Sequence, residues 1–404
     1  MHIARSPRSL PSAMSTEPSV PRRMRRILSL EDMEPAARRH LPRPIFGYVA
    51  GGAETDWSRR DNRDAFAEWG FRPRVLVDVS GRSQETALFG QRFTAPFGIA
   101  PMGFSSLVAF RGDLVLARAA ARMGIPMMVS GASLIRMEEL IRANPAAWFQ
   151  AYLLGDPERM AALVRRAADC GFGTLVVTVD VPVAANRENN LRAGFVTPLR
   201  PSLRLALDGL ARPRWSLFTL LRTLWRHGMP HFENYGPARG LPLIARNVAA
   251  QFLQRDHLSW QHLAMVRRLW SGRLVVKGLM EAADARIARE NGVDGVILSN
   301  HGGRQLDGVP SALRALPEVA AEAGGMTLML DGGIRRGSDV LKALCLGAHG
   351  VFVGRPFLYA AALGGEAGVA HAALLLRQEV DRDMAMLGVQ RLAELGPGWL
   401  RRIR

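Results

Sequence analysis

The chain of 404 residues contains only two cysteines, Cys170 and Cys345. They do not form a CxxC pair, which argues against a disulfide framework and against a structural zinc site. Each lies in an apolar stretch with a helical pattern, so both are expected to be buried, reduced thiols. We expect no metal site, and a reducing cytoplasm fits this cysteine usage best.

Long apolar runs are also missing. No stretch of about 18 consecutive apolar residues occurs, so no membrane-spanning segment is expected. Residues 1–27 lack the apolar centre of a secretory signal and are rich in Arg, Ser and Pro. They are predicted to be a disordered basic segment, with a transit peptide as the alternative and Met14 or Met24 as possible starts. Residues 28–404 are expected to form one domain.

Acidic residues are few relative to basic ones, with 36 Asp and Glu against 53 Lys and Arg and a formal charge of +17. This excess favours an anionic partner, such as nucleic acid, acidic lipid, a phosphorylated cofactor or an acidic substrate. No nucleic-acid motif and no basic sheet studded with aromatic residues is present, so nucleic acid is not an expected partner.

Eight short apolar runs recur from residue 95 onward, each followed by a helical pattern. Such continuous runs are typical of parallel strands covered on both faces. Eight β–α units predict a closed (β/α)₈ TIM barrel of the α/β class over about 95–390, preceded by helices and a hairpin over 28–90. The strands are expected at 97–102, 126–130, 147–152, 174–180, 273–277, 295–299, 327–331 and 350–354.

One interval departs from this regular alternation, because strands four and five are separated by about 95 residues. The intervening segment, about 185–258, is predicted to be a long insert after strand 4. Long loops at the C-terminal face of a barrel form lids and partner surfaces.

Polar residues follow the strands, and in a barrel these positions converge on one mouth. The segment 331–356 combines Gly332 and Gly333, which allow close backbone approach to an anion, with Arg335 and Arg355. Loops after strands seven and eight commonly bind phosphate in this fold. The pattern therefore predicts a phosphate site.

A second motif, SNHGGRQLD at 299–307, follows strand six. His301 has the residue type of a general base, and Arg304 that of a carboxylate clamp. Asp180, after strand four, could orient His301. Lys277, after strand five, has two possible roles: a Schiff-base nucleophile or a cation beside a cofactor.

Together with TVDVP and YVAGGAETDWSRRDNRDAF, these motifs resemble the FMN-dependent α-hydroxy-acid dehydrogenases and oxidases. That family includes lactate dehydrogenases, mandelate dehydrogenase and glycolate oxidase, and the resemblance covers about 30–390. It implies an FMN cofactor and oxidation of an L-2-hydroxy acid to the 2-oxo acid. The alternatives are a 2-hydroxy-acid oxidase that uses O₂, or another phosphate-binding barrel enzyme such as an FMN isomerase or a lysine-dependent aldolase.

The resemblance also implies residue roles. His301, paired with Asp180, would take the hydroxyl or α proton, and Lys277 would lie beside the flavin N1 and C2 carbonyl. The resemblance fits both transfer of the electrons as a hydride and their transfer through a carbanion. The implied substrate site comprises Tyr48, Tyr152, Arg187, Arg304 and Gly103. The implied FMN site comprises Pro101, Met102, Gly103, Ser130, Gln150, Thr178, Lys277, Ser299, Asp331, Gly332, Gly333, Arg335, Gly354 and Arg355.

Two positions depart from the oxidases of the family, which usually carry alanine at Gly103 and often an aromatic residue at Ala132. Both departures enlarge the pocket and resemble the mandelate dehydrogenase branch. They favour a quinone or cytochrome-type acceptor in the respiratory chain over O₂.

Residues 199–233 of the insert combine apolar residues at helical spacing with flanking arginines, which is typical of a helix in a membrane interface. Packing on the barrel rim or at a subunit interface is the alternative. The expected location is therefore cytoplasmic and peripheral on the inner face of the plasma membrane. The family resemblance further implies a homo-oligomer, a tetramer.

Overall fold

The computed structural model describes residues 21–195, 203–246 and 255–403. Its centre is a sheet of eight parallel strands, and each predicted strand is present, shorter or longer by a few residues at its ends. The strands are β4 (Phe97–Ile99), β5 (Met128–Ser130), β6 (Trp148–Ala151), β7 (Thr174–Thr178), β8 (Arg273–Leu279), β9 (Gly295–Leu298), β10 (Thr327–Asp331) and β11 (Gly350–Val353).

The sheet closes on itself. Neighbouring strands pair in parallel from β5 through β11, and β11 pairs with β4 in the register Phe352 to Gly98. A parallel bridge between Ile99 and Met127 joins the remaining edges. The predicted (β/α)₈ barrel is confirmed, and the carboxyl ends of all eight strands open on one face.

Side chains fill the barrel interior and leave no pore through its lower half. Trp148, Phe352 and Met329 are fully buried there with apolar residues from the other strands. A hairpin of β2 (Thr86–Leu88) and β3 (Gln91–Phe93) adds Leu88 and Phe93 from below. The bottom of the barrel is therefore packed, and any cavity must lie at the opposite face.

Helices surround the barrel. Those that follow the strands are α4 (Ser105–Val108), α5 (Gly112–Met123), α6 (Met137–Ala143), α7 (Pro157–Asp169), α12 (Trp260–Leu269), α13 (Ala282–Glu290), α14 (Ala312–Glu322), α15 (Gly337–Cys345) and α16 (Arg355–Leu387). Their ends carry standard signals. In α7, the Asp156 side chain caps Arg159 N at 2.8 Å and Pro157 occupies the first turn.

Helix α16 is the longest, and among the described residues it is the one helix whose length and composition would allow it to cross a membrane. Two observations favour a core role instead. Of its most apolar window, 67% is buried inside the protein, and Gly365 breaks the helix with a φ of 59°. Of the two cysteines, both free, Cys345 is buried as expected, whereas Cys170 is only half-buried.

The N-terminal extension consists of α1 (Met33–His40), α2 (Arg43–Ala50) and α3 (Trp57–Ala67), followed by β1 (Trp69–Phe71), which pairs with β12 (Leu400–Arg402). The boundary predicted at residue 27 lies too far along the chain. Met24 and Ile27 are buried, and Met24 packs against Gly364 and Gly368 of α16. The rest of the expected disordered segment, 1–20, is outside the described residues.

The insert lies between β7 and α12, and its described helices are α8 (Glu188–Ala193), α9 (Leu203–Leu210), α10 (Pro213–Trp215) and α11 (Arg222–His227), with a π-helical turn at Ser216–Leu221. Polar contacts attach it to the rim of the mouth. Trp215 Nε1 donates to Leu107 O at 2.8 Å, and Asn234 bridges Met137 N and Ile135 O. These contacts bring aromatic residues of the insert over the mouth.

Candidate active site

A cavity of about 660 Å³ occupies the mouth formed by the carboxyl ends of the strands. That volume is within the usual range for ligand and cofactor sites. Sixteen of the predicted site residues line it. Tyr48 comes from the N-terminal extension, and the others come from the carboxyl end of every barrel strand except β5 or from the loop that follows it. The sixteen are Tyr48, Pro101, Met102, Gly103, Tyr152, Thr178, Arg187, Lys277, His301, Arg304, Asp331, Gly332, Gly333, Arg335, Gly354 and Arg355. Four others are outside this lining: Asp180, Ser299 and Ser130 hydrogen-bond residues that line it, and Gln150 hydrogen-bonds Ser130.

His301 and Asp180 form a pair across two loops. The imidazole Nδ1 lies 2.9 Å from Asp180 Oδ1 and 3.1 Å from Oδ2. Because the carboxylate occupies Nδ1, Nε2 is the nitrogen that can exchange a proton in the cavity. Burial lowers the pKa of His301, although Asp180 opposes the shift. Burial raises the pKa of Asp180, but His301 and Lys277 outweigh it, leaving that pKa below its ordinary value.

His301 is held in a backbone conformation that few residues adopt, with a φ of 58°. Its N–H donates to Ser299 Oγ at 2.9 Å. Asn300, next to it, exchanges side-chain hydrogen bonds with Asn62 of α3 at 2.8 and 3.1 Å. The loop after β9 is thus fixed from both sides, which positions the imidazole.

Lys277 is buried and lies 2.9 Å from Asp331 Oδ2. Its ammonium also donates to Ser299 Oγ at 2.8 Å, and Ser299 in turn donates to Asp331 Oδ1 at 2.6 Å. Burial opposes the charge, but Asp331 and Asp180 outweigh it and raise the pKa of Lys277. The ion pair with Asp331 therefore favours the protonated form of Lys277, and a protonated amine cannot act as a Schiff-base nucleophile.

Arg304 and Tyr48 lie together at the outer side of the cavity, with the guanidinium 5.0 Å from the ring centroid. Arg304 donates to the carbonyls of Val49 and Gly51 at 3.3 and 2.5 Å. Burial, with neighbouring Arg187, lowers its pKa to about 9. Arg187 is held by its own bond to Arg304 O at 2.9 Å. Two adjacent cations and a phenol can bind a carboxylate.

Two buried polar groups at the inner end of the site, on the lining residue Thr178 and on Gln150 outside the lining, each have an atom without a hydrogen-bond partner among the described residues. Gln150 Oε1 accepts from Ser130 Oγ at 3.2 Å and from Gly131 N at 3.3 Å, which turns Nε2 the other way. Within the described residues, Gln150 Nε2 and Thr178 Oγ1 are buried without a hydrogen-bond partner. Buried polar groups are rarely left unsatisfied. A ligand with donors and acceptors along one edge, as an isoalloxazine ring has, would satisfy both.

The opposite end of the cavity is cationic. Burial and the neighbouring Arg355 lower the pKa of Arg335 to about 10, and burial also lowers that of Arg355. Helix α16 begins at Arg355, so its N-terminus adds a partial positive charge. Two close guanidiniums at a helix N-terminus fit a phosphate dianion. The residues present therefore fit FMN, with the edge of its ring at one end of the cavity and its phosphate at the other.

Gly333 of the predicted phosphate loop also packs closely against the N-terminal helix α3. A Cβ on Gly333 would lie 1.8 Å from Asn62 O, and its φ is 80°. The close approach is therefore to α3. Arg63 of α3 completes the contact, donating to Gly333 O at 2.5 Å and to Asp339 at 3.0 Å.

Gly103 and Ala132 face each other where a wider pocket was expected. A Cβ on Gly103 would lie 2.8 Å from Ala132 Cβ and 3.7 Å from the Tyr48 hydroxyl. The two residues are therefore in close contact, and a larger side chain at either position would displace its neighbour.

The sequence did not indicate the aromatic wall of the cavity. Tyr48 stacks on Phe195 at 4.5 Å, and Phe104 contacts both. The contacts continue through Phe232 to Tyr235, which stacks on Tyr152 at 5.8 Å. Arg255 lies over Tyr152, 4.5 Å from its centroid. Phe195, Phe232, Tyr235 and Arg255 come from the insert, whose irregular sequence gave no periodic signal.

Comparison with known proteins gives a consistent result. The family described as FMN-dependent dehydrogenase matches residues 37–402. The (S)-mandelate dehydrogenase of Pseudomonas putida is 39% identical over 93% of this chain and 94% of its own. The L-lactate dehydrogenase of Caulobacter vibrioides is 40% identical over 91% and 96%. A crystal structure of a monotopic membrane protein, (S)-mandelate dehydrogenase, superposes with a TM-score of 0.85 at 37% identity, covering 94% of this chain and 100% of the other.

Proposed function

The chain belongs to the FMN-dependent dehydrogenase family, and on that premise we propose that it oxidises an L-2-hydroxy acid to the 2-oxo acid. The observation that carries the proposal is the pairing of His301 with Asp180 in the same cavity as Arg304 and the cationic cluster of Arg335 and Arg355. FMN, the cofactor of the family, accepts two electrons from the α-carbon when bound. The site residues would bind the substrate, accept its proton and stabilise the reduced cofactor.

Arg304, Arg187 and Tyr48 would hold the substrate carboxylate, which fixes the α-carbon over the inner wall. His301 Nε2 would take the hydroxyl or α proton, because Nδ1 is engaged by Asp180. Asp180 would stabilise the imidazolium that forms. Tyr152 would hydrogen-bond the hydroxyl region. Water exclusion follows from the aromatic wall that covers the cavity.

Lys277 would favour reduction of the cofactor. Its pKa is raised, chiefly because Asp331 and Asp180 outweigh the effect of burial, so a positive charge persists beside the inner wall. A fixed cation stabilises negative charge on the reduced ring. Ser130, Gln150 and Thr178 would bind the ring edge. Pro101, Met102 and Gly103 would lie along the ring, and Asp331, Gly332, Gly333, Arg335, Gly354 and Arg355 would hold the ribityl chain and phosphate.

For the electron acceptor, we propose a quinone or cytochrome-type carrier of the respiratory chain, reached through a membrane-facing side. Leu203, Leu207, Leu217, Phe218 and Trp225 are exposed on α9 to α11, with Trp225 82% exposed. Not all of the expected apolar residues contribute, because Leu220 and Leu224 are half-buried against the protein. An exposed apolar face with adjacent arginines supports shallow burial in a lipid headgroup region. We propose the inner face of the plasma membrane.

We further propose a homo-oligomer, a tetramer by family resemblance. The loop at residues 75–77 supports this proposal, because it offers an apolar contact surface: Leu76 is fully exposed and has a φ of 59°. An apolar side chain held in a strained conformation at the surface is consistent with a partner copy. Light scattering of the purified protein would measure the oligomeric state.

The test of the function is the visible spectrum of the purified protein, recorded without oxygen before and after addition of L-lactate and, separately, (S)-mandelate. Bleaching of the flavin bands by either acid is expected. Readmission of air then separates the acceptors: slow recovery supports a dehydrogenase, and rapid recovery an oxidase. Protein that neither contains nor takes up FMN would overturn the proposal.

A further inference from the structure

Arg255 is a buried cation in the wall of the cavity that the roles above do not use. We propose that it forms a second anion-binding subsite, and that the preferred substrate is an L-2-hydroxy acid with a second carboxylate at the far end of its side chain. The inference rests on the proposed function, because it specifies the substrate of the same site.

The position of Arg255 is well defined by two aromatic rings. Its guanidinium carbon lies 4.5 Å from the centroid of Tyr152 and 5.9 Å from that of Tyr235. The side chain lines the cavity while the residue is only 8% exposed. Arg255 also hydrogen-bonds the Tyr235 side chain. Stacking on aromatic faces orients a guanidinium, whose five N–H donors lie in its plane and can serve more than one acceptor.

Tyr152 connects this subsite to the reaction centre. Its ring supports Arg255, and it belongs to the proposed substrate site together with Tyr48 and Arg304. Arg255 therefore lies one side chain away from the bound hydroxy acid. A substrate whose carboxylate is held by Arg304 would need a side chain of a few carbons to reach Arg255, and both arginines line the same cavity of about 660 Å³.

The charges of the cavity also favour a second anion. Among the described residues that line it, six are cationic (Arg187, Arg255, Lys277, Arg304, Arg335 and Arg355), and Asp331 is the one carboxylate. Asp180 adds a negative charge behind His301. Counted over these described residues, a phosphate dianion and one substrate carboxylate leave an excess of one positive charge. A dicarboxylate substrate would neutralise it, and charge matching in a low-dielectric site strengthens binding.

The experiment compares two five-carbon acids that differ only in the terminal group, (S)-2-hydroxyglutarate and (S)-2-hydroxyvalerate. The wild-type enzyme is expected to show a kcat/KM at least 10-fold higher for the diacid. Arg255→Met should lower this ratio by roughly 10- to 100-fold, as for loss of a charge-assisted hydrogen bond. Arg255→Lys, which keeps the charge, should retain part of the preference.

Binding can be measured without turnover. Glutarate and valerate should perturb the spectrum of the oxidised enzyme, with glutarate binding more tightly to the wild type but not to Arg255→Met. Equal losses for both hydroxy acids in Arg255→Met would show that Arg255 only supports Tyr152, and would overturn the subsite. A wild-type preference for hydroxyvalerate would do the same while leaving the proposed function intact. No bleaching by any 2-hydroxy acid would overturn both.

Discussion

His301 Nδ1 lies 2.9 Å from the Asp180 carboxylate, so the imidazole can exchange protons in the cavity only through Nε2. Asp180→Asn is expected to lower kcat/KM by roughly 10²- to 10⁴-fold, because the imidazolium loses its counter-charge. Since Asp180 raises the pKa of His301 against burial, the acid limb of the pH profile should move to lower pH in the variant.

Steady-state kinetics from pH 5 to 9, with flavin content measured by absorbance, test this prediction. His301→Gln serves as the comparison that removes the base itself. A variant with normal flavin content and an unchanged kcat/KM would contradict the role of the pair.

Lys277→Met should make bound FMN harder to reduce. The ammonium is a buried cation with a raised pKa, and it is paired with Asp331 at 2.9 Å. Its removal deprives a negatively charged reduced ring of its nearest positive charge, so the two-electron potential should fall by roughly 30 mV or more, which corresponds to a tenfold change in the redox equilibrium. Lys277→Arg, which retains the charge, is the matched control. Spectroscopic titration against a reference dye measures the potential, and an equal potential in Lys277→Met and the wild type would contradict the prediction.

Gly103→Ala should narrow the substrate pocket. The new Cβ would lie 2.8 Å from Ala132 Cβ, well inside the roughly 3.5 Å at which carbon atoms pack. The kcat/KM for (S)-mandelate is expected to fall about 10-fold more than that for L-lactate, because overpacking penalises the larger side chain most. The double variant Gly103→Ala/Ala132→Gly removes the clash and should recover most of the loss. If Ala132→Gly does not restore activity, the loss in Gly103→Ala does not arise from its contact with Ala132.

Replacement of Phe218 and Trp225 by serine should weaken binding to vesicles that contain acidic lipid by roughly 10²- to 10⁴-fold, since each aromatic side chain contributes about 1.5–3 kcal/mol when buried. Met386→Ser changes a comparably exposed apolar residue at the end of α16 and is the control. Cosedimentation measures the bound fraction, and activity in solution should not change. Equal binding by the double variant and the control would show that this face does not contact lipid.

Asp113 links stability to pH. It is buried in the first turn of α5, accepts from Ser106 Oγ at 2.8 Å, and burial raises its pKa to about 6. Because the folded-state pKa is above the unfolded one, its contribution is favourable at low pH and is lost as pH rises through 6. Asp113→Asn stays neutral, so its stability relative to the wild type should increase by about 3 kcal/mol between pH 4 and pH 8. Denaturant unfolding at both values measures the change, and a constant difference would contradict it.

The sequence by itself determined the barrel and most of the site. Eight apolar runs separated by helical patterns leave few alternatives to a closed parallel barrel, and the carboxyl ends of such strands must meet. Residues at those ends, such as Lys277 and His301, could therefore be assigned to one mouth without coordinates. The resemblance added Tyr48 and Arg187, which lie outside the strand pattern.

Only the tertiary structure decided which residues complete the cavity from the insert and how the charges pair. Tyr235 and Arg255 belong to a segment without periodicity, and their positions depend on long-range contacts such as that of Asn234 with the loop before α6. The collision of a Gly333 side chain with Asn62 could not be read from a local motif either, since it joins residues far apart in the chain. Periodicity reports which face of an element is buried, but contacts between loops depend on the packing of the whole fold.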